Sequence, residues 1–102
     1  MGWQVIIAPS AQADLADIVR YIAQHNSDAA ARLGFELITR AESLANFAEL
    51  GRSVPEFHQV DLREIICHSY RIIYRLHYRD QRIQIIRFWH GARGFPHIPG
   101  KI

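Results

Sequence analysis

A chain of 102 residues can bury one modest core, so a single domain over residues 1–102 is expected, with an irregular tail at 94–102. The apolar fraction of 49% and charged fraction of 22% are ordinary for a globular domain, and no run reaches the roughly 18 apolar residues of a membrane span. The formal net charge is only +2 although the sequence pI is about 9.0, so the placement of the basic residues matters more than their number.

The opening MGWQVIIAPS has neither the basic start nor the long apolar stretch of a secretory signal, and a cytoplasmic protein is expected. Residues 3–8 (WQVIIA) read as a short strand that Pro9 ends. Ser10 is placed to cap a helix with Asp14 and Asp17 toward its positive end, and Leu15, Ile18, Val19 and Ile22 give that helix one apolar stripe. It should stop near His25-Asn26. Ser27 can cap a second helix, with Asp28 in its first turn and a stripe of Ala30, Leu33, Leu37, Ile38, Ala41, Leu44, Ala45 and Ala48, as far as a stop at Gly51. Helices of about 15 and 20 residues joined by so short a turn should pair antiparallel.

After the loop GRSVPEF the period changes to two, and residues 62–67, 70–78 and 83–90 read as a three-stranded antiparallel meander. Tight connections fit at His68-Ser69 and Asp80-Gln81. Two-residue turns there would set Ile66 opposite Arg71, Arg79 opposite Arg82, and Arg71 opposite His90. One face would then carry Tyr70, Ile72, Tyr74, Leu76 and Tyr78 beside Ile83, Ile85, Arg87 and Trp89, and should lie under the helices. The other would carry Arg71, Ile73, Arg75, His77 and Arg79 beside Gln84, Ile86, Phe88 and His90, and should stay open. Glu64 joins that second face, where a bridge to Arg71 would contribute under about 1 kcal/mol if exposed. The fold class is therefore α+β: an N-terminal strand, an antiparallel helix hairpin and a three-stranded meander, with the helices on one face of the sheet.

Lys101 is the only lysine, and Arg63, Arg71, Arg75, Arg79, Arg82 and Arg87 crowd into residues 62–90, where Asp80 is the only acid beyond Glu64. Such an arginine-rich third suits an anionic partner, either nucleic acid or an acidic protein; a merely solvated strand face is the plainer alternative. Six histidines form no H-x-x-x-H pattern and no cluster with cysteine along the chain, so no metal site is expected. There is no glycine-rich phosphate loop and no nucleophile elbow, and no cofactor is expected. Cys67, the only cysteine, excludes an internal disulfide, suits a reducing compartment, and reads as a small buried hydrophobe.

The segments SAQADLADIVRYI, GRSVPE, the R-E-I before the hairpin, SYRIIYRL and IIRFWHGAR, in this order and spacing, resemble the RelE/ParE superfamily of bacterial toxins over nearly the whole chain. The resemblance implies a toxin of a type II toxin–antitoxin module of the plasmid-stabilization type. It implies neutralisation by a cognate antitoxin, through which operator DNA is reached. ParE-like members inhibit DNA gyrase without chemistry of their own, whereas RelE-like members are mRNA interferases that cleave mRNA on the ribosome without a metal. For the nuclease, the resemblance assigns Arg71 to the scissile phosphate and His90 to proton transfer. Arg93 would add charge and Glu56 or Glu64 would serve as base, the plainer reading of Glu56 being a loop residue that holds an arginine. Target or antitoxin binding would draw on Arg63, Arg71, Arg75, Arg79, Phe88, His90 and Arg93. The long helices, the missing lysine cluster and the WHGAR ending favour the ParE-like reading; an inactive antitoxin-binding relic is a third. Pro96 and Pro99 keep the tail from continuing as a regular helix.

Overall fold

A computed structural model describes residues 2–99. The expectation for the last part of the tail, 100–102, lies outside the described residues. Strand β1 (Gln4–Ile7) leads into helix α1 (Pro9–Ala23), and α2 (Ser27–Ser43) follows after a short turn. Pro9 opens α1 because its fixed φ suits the first turn and its missing N–H would have had no partner there. Ala8, not Ser10, stands at the cap position, and Ser10 lies inside the first turn. Asn26 rather than Ser27 caps α2: it is extended and its side chain accepts from the Ala29 N–H at 3.0 Å. α2 ends at Ser43 in a 3-10 turn over Leu44–Asn46, well before Gly51.

Gly51 answers a packing demand instead of stopping a helix. A Cβ there would lie 2.5 Å from the Tyr74 hydroxyl and 2.6 Å from the Glu64 carbonyl oxygen. The close approach lets the Gly51 N–H donate to Tyr74 Oη at 2.9 Å, while that hydroxyl donates to the Ala48 carbonyl.

The sheet has five strands in the order β1-β5-β4-β3-β2, with β2 at Arg52–Ser53, β3 at Leu62–Cys67, β4 at Tyr70–His77 and β5 at Arg82–His90. β1 runs parallel to β5, and the other neighbours are antiparallel. The segment expected to be wholly loop thus contributes an edge strand, whose Arg52 faces Glu64.

The β3–β4 register is as expected, with Ile66 opposite Arg71. The β4–β5 register is not. His77 pairs with Arg82 across a four-residue connection; either form of the usual two-residue turn would need positive φ at Asp80. Only Gln81 adopts it, at φ 52°, closing a turn in which its N–H donates to the Tyr78 carbonyl at 3.3 Å. Further along, Ile73 pairs with Arg87 but Tyr74 with Ile85, so Ile86 is an extra residue in β5. The bulge turns the end of β5 over: Arg71 faces Trp89, and His90 faces Tyr70.

Helix α1 holds the bulge in place. β1 accompanies β5 only as far as Ile85, and α1 covers the edge beyond it. Ser10 Oγ donates to the Ile86 carbonyl at 2.7 Å, and the Phe88 N–H donates to Asp14 at 3.1 Å. Backbone groups that the bulge frees from the ladder are therefore satisfied by helix side chains.

Two cores result. Ala11, Leu37, Ala41 and Leu44 of the helical layer pack against Ile72, Tyr74, Leu76, Ile83, Ile85 and Phe88. Each large aliphatic or aromatic side chain so buried contributes about 1.5–3 kcal/mol of transfer free energy. On the opposite face, expected to be open, Leu62, Ile73, Ile86 and Trp89 are covered by Val54, Phe57 and Ile98. The tail segment 94–98 forms no helix or strand, and it is tied down where Trp89 Nε1 donates to the Gly94 carbonyl.

Candidate functional site

The arginines of β3–β5 are for the most part already engaged. Alternation brings Arg71, Glu64 and Arg75 to the face opposite the helices, and the 52–57 segment carries Glu56 over them. Arg71 Nε donates to Glu64 at 2.6 Å, and its two terminal nitrogens grip Glu56 at 2.9 and 2.6 Å. The Arg71 side chain is 11% exposed and that of Glu64 is wholly buried. Arg52 closes the far side of Glu64 at 2.7 Å. The Arg71 hydrogen bonds hold the Glu56 carboxyl below its ordinary value, and Glu56 in turn raises the guanidinium pKa. A carboxylate so held is a weak base, and a guanidinium so occupied has little left for a phosphate.

The remaining arginines named from sequence are spread widely. Arg75 bonds Gln59 and Asp61. Arg63 lies on the helix side of β3 and donates to the carbonyls of Glu49 and Gly51. Arg79 is exposed in the four-residue connection. The continuous open basic face expected from the sequence is thus corrected: it is partly roofed, and its central charges are neutralised in place.

The second correction concerns His90. Beyond the bulge it turns to the helix side, with Phe88, whereas Arg71 turns with Trp89 to the other. The two are therefore not assembled into one constellation. His90 Nδ1 accepts from the Ala92 N–H at 3.1 Å and caps the 3-10 turn Gly91–Arg93. Its ring stands edge-on to Tyr70 at 5.1 Å.

His90 and Arg93 do share a cavity of about 430 Å³ between α1 and the ends of β4 and β5. Ile18, Tyr21, Ile22, Tyr70 and Phe88 form its apolar wall, and Asp14 and Asp17 line it as well. Tyr21 remains 67% exposed there, a large aromatic without cover. Arg93 also lies over the Trp89 ring, 3.8 Å from its centroid.

Sequence reasoning missed the bond between α1 and the bulge. Asp14 holds Arg87 bidentately at 2.7 Å, both side chains nearly buried, and Arg87 reaches on to the His97 carbonyl. Asp14 in an otherwise apolar helix face was the available signal. Arg87 does not lie under the helices as part of the core; it faces the edge and stacks 4.7 Å from the Trp89 ring.

A helix hairpin on one face of a five-stranded sheet places the chain in a class of small two-layer α+β domains. The fold is shared with a solved structure described as the chromosomal ParDE TA system from P. aeruginosa, at a TM-score of 0.70 and 19% identity over 86% of this chain and 95% of that one. It is shared equally with the toxin–antitoxin complex RelBE2 from Mycobacterium tuberculosis, at a TM-score of 0.68 and 16% identity over 88% of this chain and 99% of that one. Toxin RelE2 of Caulobacter vibrioides is 37% identical over 90 residues, covering 88% of this chain and 97% of that protein. The family described as ParE toxin of type II toxin-antitoxin system, parDE, matches residues 5–95. The chain belongs to this family of type II toxin–antitoxin toxins.

Proposed function

We propose that the protein is held inactive by a cognate antitoxin and, when released, inhibits DNA gyrase by binding, with no bond-breaking step of its own. The observation that carries this reading is the separation of Arg71 from His90. An RNA-cleaving site needs charge at the phosphate next to groups that move protons. Here Arg71 is enclosed by two carboxylates on one face and His90 stands on the other. The matching family is described by ParE toxins and the 37% identical relative is a RelE toxin, so the choice rests on the site's geometry. In this reading the toxin acts in the cytoplasm, in a plasmid-stabilization type of module, and meets operator DNA only through its antitoxin. No helix among the described residues is long and apolar enough to cross a membrane.

The cavity beside α1 is the surface we assign to the antitoxin. An amphipathic segment could cover Tyr21 and the Ile18–Ile22 wall while an acidic side chain meets Arg93. Tyr21→Glu should weaken antitoxin binding at least about tenfold with the circular dichroism unchanged, as loss of a central aromatic contact does. Unchanged affinity would remove this assignment.

One observation favours the mRNA endoribonuclease instead: His90 and Arg93 line the same cavity. Purified toxin added to a gyrase supercoiling assay and to a translating extract separates the two. Inhibited supercoiling with intact mRNA is expected; cleaved mRNA with unaffected gyrase would reverse the conclusion.

A further inference from the structure

We propose that Glu36, Cys67 and His68 form a binding site for a thiophilic divalent cation of the zinc type. The three come from two elements that the fold lays together. Glu36 projects from the middle of α2, Cys67 is the last residue of β3, and His68 opens the turn into β4. His68 holds φ 56°, in the left-handed region that a residue with a Cβ seldom occupies. In that conformation its Nε2 lies 2.8 Å from Glu36 Oε1. The thiol sulfur, the imidazole nitrogen and the carboxylate oxygen all lie within 4.8 Å of one another.

These separations are close to what a tetrahedral ion requires. Bonds of about 2.0–2.3 Å to zinc place neighbouring ligand atoms about 3.3–3.8 Å apart, within reach of small side-chain rotations. The donor set also selects the ion. One sulfur, one nitrogen and one oxygen suit zinc or its analogues, whereas magnesium and calcium favour oxygen alone.

The surroundings leave a way in. Cys67 is buried and forms the floor, while Glu36 and His68 are half exposed at the rim, so that an ion could enter from solvent and keep water as its fourth ligand. A thiolate and a carboxylate would balance the two charges of the ion. Arg40, one turn along α2, opposes a cation, but its guanidinium points to the Ile66 carbonyl at 3.4 Å. Bound there, the ion would tie α2 to the β3–β4 hairpin, between which His68–Glu36 is the only ionic contact among the described residues. The site is independent of the gyrase reading, since none of its three residues lies in the Arg71 network or the cavity beside α1.

The test uses the purified full-length chain, with cobalt(II) and zinc(II) each added alone. One equivalent of cobalt should produce a thiolate-to-cobalt charge-transfer band and tetrahedral visible absorption, and zinc should displace it and raise Tm. Cys67→Ser should abolish the charge-transfer band. His68→Ala and Glu36→Gln, both at half-exposed positions, should leave the circular dichroism unchanged and weaken zinc binding by at least about tenfold, the loss expected even for a group that only supports a metal ligand. Absence of saturable cobalt absorption in the wild-type chain would overturn the proposal. So would zinc binding of unchanged affinity in His68→Ala and Glu36→Gln, or an equal rise in Tm with magnesium.

Discussion

Replacing Arg71 with methionine keeps the apolar stem of the side chain and removes the guanidinium alone. The wholly buried Glu64 carboxylate would lose its 2.6 Å partner and keep only Arg52. Breaking a buried ion pair from one side costs about 3–5 kcal/mol, because the remaining charge is left without its partner in a poor solvent. Arg52 still donates to Glu64 at 2.7 Å, and Glu56, 24% exposed, can be rehydrated. The lower end, about 3 kcal/mol, is therefore expected. In a domain of this size that lowers Tm by about 12–24 °C. Urea denaturation followed by circular dichroism measures the change, with an unaltered m value as the sign that only stability has moved. Adding Glu64→Met should return part of the loss, since no buried carboxylate is then left bare. A loss below about 1 kcal/mol, as at an exposed pair, would refute this reasoning. A double variant no more stable than the sum of its single losses would do the same. The consequence for function is direct: lost toxicity in an Arg71 variant must be read against the fraction still folded.

Glu56 links the same network to pH. Its pKa is depressed in the folded state below the ordinary 4.5, so it contributes stability above that value and the contribution disappears as pH falls through the folded pKa. Stability should drop on acidification below about pH 4.5, and Glu56→Gln should flatten that part of the profile; parallel profiles for the two proteins would remove Arg71 as the cause. Gly51→Ala should cost about 1–3 kcal/mol by urea denaturation, because its new methyl meets the Tyr74 hydroxyl and the Glu64 backbone. No change in the denaturation midpoint would show that the loop can withdraw freely.

The helix hairpin, the three long strands and the β3–β4 register were legible because each rests on local signals. Apolar spacing marks the helices, alternation marks the strands, and the short His68-Ser69 turn leaves one pairing. The bulge at Ile86 had no such signal. Its stability comes from Ser10 and Asp14, 76 residues from Ile86 and 74 from Phe88 in the chain. A single extra residue then reverses every side chain beyond it, which is why Phe88, Trp89 and His90 all change faces. Cover for the second face was equally hidden: Val54 and Phe57 come from a segment with no periodicity, and Ile98 from an irregular tail. Of the candidate site, the Arg71–Glu64 pair follows from register and was legible. That Glu56 is a loop residue holding an arginine was legible too, but loop geometry decides which arginine it meets.

Gyrase supercoiling in the presence of the purified toxin, with and without its antitoxin, tests the central claim most directly. Inhibition at toxin concentrations comparable to gyrase, relieved when the antitoxin is added, is the expected result. Undiminished supercoiling by a toxin preparation that cleaves mRNA in a translating extract would contradict it.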